Sequence, residues 1–282
     1  MKILLMALAL LASSYTYSQS MLVLKTGKVL TIDEQGMLFD LGNFILPYQV
    51  KQMGGRYLID DNRKLRTVDR NGLMYSKESE DKAPVNIEYF GENYFISKFG
   101  RLYTMDDQGF LYAGEEKERE FRNIKIHGGS FFIAEKKVES KKSLALFVVT
   151  NLGSVIEVKV PGLNLSQVSF TGGQYFTTSR GELYTVSNDG FVYSKQSMGK
   201  FYGQRLKRGG NYFIALDGLY SVSQSGLLMN VASSADLGMI SHLGVNFFMT
   251  RDGRFFTISS TGNIRKSFIT FKNSDISLFS HL

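Results

Sequence analysis

Seven glycines recur along the chain at a nearly constant interval, and this repeat constrains the fold more than any other feature of the sequence. They are Gly36, Gly72, Gly109, Gly153, Gly190, Gly226 and Gly262, spaced 36, 37, 44, 37, 36 and 36 residues apart. A fixed period of roughly 20–50 residues is typical of repeat architectures, in which each unit packs against its neighbours. The 282-residue chain is therefore predicted to contain seven copies of one structural unit.

Each unit contains several short runs that favour β-strands. One run ends four residues before each glycine and is rich in β-branched and aromatic residues. These runs are Val29–Ile32, Leu65–Val68, Leu102–Met105, Leu146–Val149, Leu183–Val186, Leu219–Val222 and Phe255–Ile258. Another apolar run precedes it, a third follows the glycine, and a weaker one begins the unit. Runs that are apolar on both sides indicate strands that are buried on both faces. We therefore predict an all-β fold, a seven-bladed β-propeller of seven four-stranded repeats of about 37 residues.

A short polar residue stands three positions before every repeat glycine. These residues are Asp33, Asp69, Asp106, Thr150, Ser187, Ser223 and Ser259. Side chains of this kind accept hydrogen bonds from the backbone just ahead of them, and glycine supplies the positive φ that a tight hairpin needs. The pattern therefore predicts turn chemistry at these acidic residues rather than a metal or catalytic site.

The two ends of the chain complete this prediction. Lys2, the apolar run Ile3–Ala12 and a small polar tail are typical of a secretory signal peptide. We expect residues 1–20 to be that peptide, cut before Gln19 or Met21, and residues 21–282 to form a single propeller domain in the periplasm or outside the cell. The first unit lacks its weak strand, and Ile276–Phe279 resembles one. The C-terminal strand is therefore predicted to join the first blade and close the ring.

Composition excludes several kinds of chemistry. The chain has no cysteine, so disulfides, thiolate catalysis and cysteine-ligated zinc are excluded. Its sequence contains no phosphate-binding loop, no nucleophile elbow, no HExxH and no EF-hand loop. The three histidines, His127, His242 and His281, come from comparable parts of different units, but their offsets differ. We predict no cofactor, no metal and no catalytic residue, and we favour a protein that is not an enzyme.

Basic residues are concentrated in the loop between the second and third strands of certain units. On a closed ring, units seven, one, two, three and four are neighbours, so these residues are predicted to form an arc over one face, which we call the basic arc. Acidic residues follow in nearby connections of units two and three, at Glu78, Glu80, Asp81, Glu115, Glu116, Glu118 and Glu120. The predicted binding residues of the basic arc are Lys25, Lys28, Lys64, Lys98, Arg101, Lys136, Lys137, Lys141, Lys142, Arg251 and Arg254.

The repeated sequence Gly-x-Leu-Tyr-Thr-Val-x-x-x-Gly-x-Val-Tyr, seen at Gly181–Tyr193, resembles the repeats of tachylectin- and tectonin-type propellers and also quinoprotein-type repeats. The resemblance implies a propeller fold over the whole chain after the first twenty residues. The lectin-like repeats usually carry a tryptophan, and this chain has none. No ligand residue is therefore transferred from these families.

Three functions are compatible with such a chain. The favoured one is an exported, non-enzymatic binding or scaffold propeller that recognises a protein or an anionic polymer of the cell envelope through the basic arc. A lectin-like propeller would need a recurring exposed polar or aromatic residue, and only turn residues are seen to recur. A secreted propeller enzyme, hydrolase- or lactonase-like, would have its site in the central channel. We further expect a monomer without a transmembrane segment, and no nucleic-acid partner because interleaved exposed aromatics are nearly absent.

Overall fold

The computed structural model describes residues 20–33, 35–43, 49–69, 71–76, 87–113, 121, 123–138, 141–195, 207–232, 239–272 and 276–279, except for the side chains of 43, 76, 137, 138, 141, 195, 278 and 279. Strands dominate this part of the chain, which also contains a 3₁₀ turn at Leu165–Gln167. In chain order the strands are β1 (Ser20–Leu24), β2 (Lys28–Ile32), β3 (Leu38–Asn43), β4 (Val50–Met53), β5 (Tyr57–Asp60), β6 (Leu65–Val68), β7 (Met74–Ser76), β8 (Ile87–Phe90), β9 (Tyr94–Ser97), β10 (Leu102–Met105), β11 (Leu111–Ala113), β12 (Ile124–His127), β13 (Phe131–Val138), β14 (Lys141–Val149), β15 (Val155–Val158), β16 (Val168–Thr171), β17 (Tyr175–Thr178), β18 (Leu183–Val186), β19 (Val192–Lys195), β20 (Lys207–Arg208), β21 (Tyr212–Ala215), β22 (Gly218–Val222), β23 (Leu228–Ala232), β24 (Ile240–Leu243), β25 (Phe247–Thr250), β26 (Arg254–Ile258), β27 (Ile264–Thr270) and β28 (Ile276–Phe279).

These strands form seven four-stranded antiparallel sheets, and the predicted seven-bladed propeller is confirmed. Blades two to seven are each a meander of four consecutive strands, starting with β4, β8, β12, β16, β20 and β24. Blade one has the order β28-β1-β2-β3, so the C-terminal strand supplies its first strand. Leu22 pairs with Phe279 and Val23 with Leu278 in this junction. The predicted closure of the ring is therefore confirmed.

The second strand of each blade shows why the runs are apolar on both sides. In β13, Phe132 and Ala134 pack with residues of blade three, whereas Phe131 and Ile133 pack with residues of blade five. Each blade thus buries one face against the blade before it and the other against the blade after it. The junction of blades seven and one is packed in the same way, with Leu22, Leu30 and Phe247 in one cluster. The cores of this fold therefore lie between the blades.

The turns between the third and fourth strands have the predicted chemistry. All seven repeat glycines have φ between +73° and +92°. Asp69 Oδ1 accepts hydrogen bonds from the N–H groups of Asn71 and Leu73 at 2.9 and 2.8 Å, and Ser187 Oγ accepts one from Phe191 at 3.0 Å. Thr150 differs, because its Oγ1 is buried without a partner in the part of the chain that the structure describes.

The threonines of the third strands connect neighbouring blades. Thr67 Oγ1 donates to the carbonyl oxygen of Gly109 at 2.8 Å, and Thr185 Oγ1 donates to that of Gly226 at 2.7 Å. Thr257 does the same across the ring closure, to Gly36 at 2.6 Å. The recurring threonine of the repeat is thus a hydrogen-bond donor between blades, and the closing junction uses the same bond as the others.

Two consequences follow for where functional side chains lie. In an antiparallel meander the turns alternate between the two ends of the sheet. The turns after the first and third strands lie on one face of the propeller, which we call the turn face. The turns after the second strands and the connections between blades lie on the opposite face, which we call the loop face. Within the residues that the structure describes, no helix is long and apolar enough to span a bilayer.

Candidate functional site

The predicted basic arc lies on the loop face, but its residues are not equivalent. Lys25, Lys64, Lys98 and Arg251 are exposed. No carboxylate within ion-pair distance of these four is seen among the described residues. They come from blades one, two, three and seven, which are contiguous around the ring. Four unneutralised cations therefore follow one side of the loop face.

Other members of the basic arc are held by neighbouring carboxylates or, for Arg101, by an aromatic ring. Lys28 Nζ lies 2.6 Å from Asp40 Oδ2, and this contact holds the pKa of the exposed Asp40 carboxyl below its usual value. Arg254 Nε lies 2.8 Å from Asp252 Oδ2. The Arg101 guanidinium lies over the ring of Tyr103, 5.4 Å from its centroid. These contacts could not be read from the sequence, because they depend on which strands lie side by side and on how each loop is folded.

Blade four extends the arc by a hairpin rather than by the loop that the sequence suggested. β13 and β14 continue pairing past the ends of the other blades, from Glu135 opposite Leu144 to Val138 opposite Lys141. Lys136 Nζ pairs with Glu157 at 2.5 Å, and Lys142 Nζ pairs with Glu135 at 3.2 Å. The side chains of Lys137 and Lys141 lie outside the described residues, as do the acidic connections at 77–86 and 114–120 and His281.

The turn face carries a feature that the sequence interpretation missed. Large apolar side chains are exposed there on six blades, at and after the turn between the third and fourth strands. We call this set the apolar crown. It consists of Met37, Phe39, Leu73, Tyr75, Phe110, Tyr112, Leu152, Ile156, Phe191, Tyr193 and Leu227. The expectation that exposed aromatics are nearly absent and that only turn residues recur was therefore wrong.

Aromatic rings of the apolar crown contact the repeat glycine of the next blade. A Cβ added to Gly226 would lie 2.6 Å from the ring of Tyr193 on the preceding blade. The same position at Gly72 would lie 3.2 Å from the ring of Phe39. In these blades the second residue of the fourth strand therefore packs against the next blade's turn, directly beside an exposed apolar neighbour. Blade seven interrupts the crown, because it has Asn263 and Arg265 at these positions.

A signal for the crown was present in the sequence. The residue after the repeat glycine is apolar in five units, and the residue two positions later is apolar in six. The fourth strand therefore lacks a polar side in these units. Only the structure shows that no other described strand covers that side, because the strand order makes the fourth strand an edge of its sheet.

A second set of residues joins the blades close to the axis. In blades two to six, the turn after the first strand bonds to the same turn of the next blade, for example from the Gly173 N–H to the Gly210 carbonyl oxygen at 2.6 Å. Because blades of a closed ring diverge outward, such direct backbone contacts lie at the inner rim. We call this set the inner ring. Its described members are Gly55, which contacts Glu92, and then Glu92, Gly129, Gly173, Gly210 and Val245.

A buried polar residue follows every described member of the inner ring, and Ser20 holds the equivalent position in blade one. They are Ser20, Arg56, Asn93, Ser130, Gln174, Asn211 and Asn246. Several reach towards a turn after a third strand: Asn93 Nδ2 donates to the Thr150 carbonyl oxygen of the next blade at 3.2 Å, and Gln174 Nε2 donates to Asn188 Oδ1 at 2.6 Å. The contacts of this polar layer hold the turns of the propeller together.

Arg56 brings a buried positive charge into that layer. The residue is 3% exposed, and within the described part of the chain its Nε and Nη2 have no hydrogen-bond partner. Burial lowers the pKa of its guanidinium, while the negative charges of Glu92 and Asp107 act in the opposite direction. Arg56 therefore offsets carboxylates that converge between blades two and three.

The two histidines that the structure describes, His127 and His242, lie beside aromatic or polar side chains. His127 lies 5.8 Å from the ring of Tyr89 and 6.3 Å from that of Phe90, between centroids. Burial, with a contribution from the charge of Arg208, lowers the pKa of His127. Among the described residues, no group of three or more His, Asp or Glu side chains is placed to hold a metal ion.

The class of protein is therefore a seven-bladed β-propeller with a partly basic loop face and an apolar turn face. No known protein family matches the chain, and no curated protein is similar to it in sequence. Among solved structures, the chain is distantly similar to a streptogramin B lyase, at 12% identity over 90% of this chain and 95% of that one, with a TM-score of 0.32. It is also similar to TolB from Acinetobacter baumannii, at 13% identity over 93% and 66%, with a TM-score of 0.31.

A virginiamycin B lyase from Staphylococcus aureus gives the same picture, at 13% identity over 86% of this chain and 88% of that one, with a TM-score of 0.33. Similarities at this level carry no information on activity. The fold assignment rests on the seven sheets themselves.

Proposed function

We propose that the chain is an exported, non-enzymatic binding propeller whose loop face recognises an anionic polymer of the cell envelope. The observation that carries this proposal is the set of four exposed cations, Lys25, Lys64, Lys98 and Arg251, on contiguous blades of one face. A row of exposed like charges attracts a flexible polyanion, which follows the row and neutralises several charges at once. The formal net charge is +7 for the full sequence and +6 (7 − 1) once Lys2 is removed with the signal peptide, and it acts in the same direction.

The ion pairs of the loop face define the extent of the proposed site. Lys28 and Arg254 are held by Asp40 and Asp252 and contribute little free charge. The site therefore consists of the four free cations, and the hairpin of blade four lies at its edge. An acidic protein would bind through the same charges, so the binding experiment measures a polymer and an acidic protein fraction in parallel.

Export through a cleaved signal peptide is the second part of the proposal. Of the two predicted cleavage positions, before Gln19 and before Met21, the contacts of Ser20 favour the first. Ser20 belongs to β1, pairs with Ile32 and is fully buried. Its Oγ accepts the Asn246 N–H at 3.0 Å, which links blade seven to blade one. Cleavage before Met21 would remove this link, so we expect cleavage before Gln19. Mass spectrometry of the protein secreted by its own cell would give the mature N-terminus, and a start at Met21 would contradict the expectation.

The binding proposal is tested with two triple variants of equal charge. The first, Lys25→Ser, Lys64→Ser and Lys98→Ser, removes three cations of the loop face. The control, Lys51→Ser, Lys207→Ser and Lys266→Ser, removes three exposed lysines from strands. Immobilised dextran sulfate is a suitable polyanion probe, with isolated envelope polysaccharide and an acidic protein fraction measured in parallel.

The loop-face triple variant is expected to bind the polyanion roughly tenfold more weakly, because each exposed charge contact contributes about 0.5 kcal/mol. Binding by the parent chain should also weaken as salt rises from low to physiological ionic strength. The control triple variant should keep the parent affinity within about twofold. Equal losses in both variants would show a net-charge effect without a site and would contradict the proposal. Loss of binding to the acidic protein fraction alone would identify a protein partner instead.

A further inference from the structure

The apolar crown is large enough to be an interface. Its eleven side chains are between 40% and 68% exposed. With side chains of about 200 Å² each, this corresponds to roughly 1,000 Å² of exposed apolar surface. The largest apolar patch on a typical monomer is about 300–600 Å², whereas a standard protein interface buries about 800 Å² per partner. The crown therefore exceeds what a monomer normally exposes and matches one side of a stable interface.

Charge separates the two faces of the molecule. On the turn face, from the turn after the third strand to the second residue of the fourth, the exposed charged residues that the structure describes are Asp189 and Arg265. They are of opposite sign. The loop face instead carries the four free cations. Two copies of this chain would therefore repel each other through their loop faces, but could approach through their turn faces without like-charge repulsion.

We propose that the apolar crown is the interface of a face-to-face dimer of this chain. The occupant is a second copy because the turn face is apolar, nearly neutral and repeated around the ring. A patch that is built from near-equivalent elements can pair with itself about a two-fold axis, as an isologous interface requires. Two crowns would bury roughly 2,000 Å² in total, which lies at the border between standard and obligate interfaces. This dimer replaces the sequence-based expectation of a monomer.

The dimer has a consequence for the loop faces. Face-to-face packing of the crowns leaves both loop faces pointing outward, on opposite sides of the assembly. A dimer would thus present two copies of any loop-face site, so that binding of one long polymer gains from effective concentration. The dimer itself does not depend on the proposed polyanion site and stands or falls separately.

The test compares two matched double variants. Phe110→Glu with Leu227→Glu places two charges in the apolar crown. Phe99→Glu with Leu216→Glu places the same two changes on the loop face, at residues that are 70% and 79% exposed. All four side chains are exposed, so both variants should retain the stability of the parent chain. Sedimentation velocity and light scattering over a range of protein concentrations measure the mass of each protein in solution.

The parent chain and the loop-face variant should have twice the mass of one chain, which is 31.7 kDa for the full sequence. The crown variant should be monomeric, with a dimer dissociation constant raised at least about 100-fold, because a charge facing its own copy in an apolar interface is strongly unfavourable. A parent chain that is monomeric at about 100 µM, where even weak specific interfaces associate, would overturn the proposal. So would a crown variant that remains dimeric.

Crosslinking gives a readout that does not depend on these charges. The chain has no cysteine, so one introduced cysteine is unique in each protomer. Leu152→Cys lies in the crown and Leu216→Cys on the loop face. A short bis-maleimide should produce covalent dimers from the crown cysteine and not from the loop-face cysteine. If the parent is instead monomeric and the crown variant loses binding to an oligosaccharide array, the crown is a carbohydrate site and the dimer proposal is refuted.

Discussion

Gly173 provides a direct test of how closely the blades approach at the inner ring. Its N–H donates to the Gly210 carbonyl oxygen at 2.6 Å. A Cβ at Gly173 would lie 2.6 Å from that oxygen and 2.8 Å from the Gly210 Cα. Both contacts are to backbone atoms, so no side-chain rotation can relieve them. The Gly173→Ala variant must therefore move two blades apart at the point where the ring is narrowest.

The expected cost follows from these distances. Overpacking of a well-packed site costs about 1–3 kcal/mol, and contact with fixed backbone favours the upper value. The loss of unfolded-chain entropy offsets about 0.5 kcal/mol. The net loss of about 2.5 kcal/mol should lower Tm by roughly 5–10 °C, since a domain of this size loses about 2–4 °C per kcal/mol.

Gly162 is the matched control for this substitution. It has φ +78° and nothing within 4 Å of an added Cβ, so Gly162→Ala tests backbone strain without a clash. That strain costs about 1–2 kcal/mol before the same entropic offset, so the control should lose about 1 kcal/mol and roughly 2–4 °C in Tm. Scanning calorimetry of both variants measures the difference. If Gly173→Ala melts no lower than Gly162→Ala, the blades are not in backbone contact at the inner ring and the reasoning is refuted.

Three further predictions concern the same structure. Arg56→Met should destabilise the protein by about 3–5 kcal/mol, because it leaves buried carboxylates, Glu92 among them, without their opposing charge; a urea midpoint close to that of the parent would exclude this role. The pKa of His127 is lowered in the folded protein, so folding favours its neutral imidazole. The resulting stabilisation is fully present above about pH 6.5 and is lost as pH falls through the folded pKa. His127→Gln should therefore lose less stability than the parent between pH 7 and pH 5 in matched denaturant titrations, and parallel curves would contradict this. Deleting residues 276–282 removes β28 and should lower Tm or cause aggregation, because β1 becomes an open edge strand; unchanged melting would show that ring closure does not stabilise the fold.

The sequence determined the architecture because each unit encodes its own local structure. The turn residues Asp69 and Gly72 specify a hairpin by themselves, whichever blade contains them, and the period of the glycines counts the blades. Closure by Ile276–Phe279 was also predictable, since the first unit lacked one strand and the last residues supplied it. These features depend on short stretches of chain, so reading the chain in order was sufficient to find them.

Only the tertiary structure decided which side chains are available to a partner. Lys28 and Lys64 are equivalent in sequence, yet Lys28 is held by Asp40 from the neighbouring strand and Lys64 is exposed. Phe95 and Phe110 are both phenylalanines in or beside strands. Phe95 is fully buried between blades, whereas Phe110 is exposed and belongs to the apolar crown. Burial and ion pairing depend on which elements meet in space. The repeat determines the number and structure of the blades, whereas the packing of the blades determines which side chains are exposed on the two faces of the propeller.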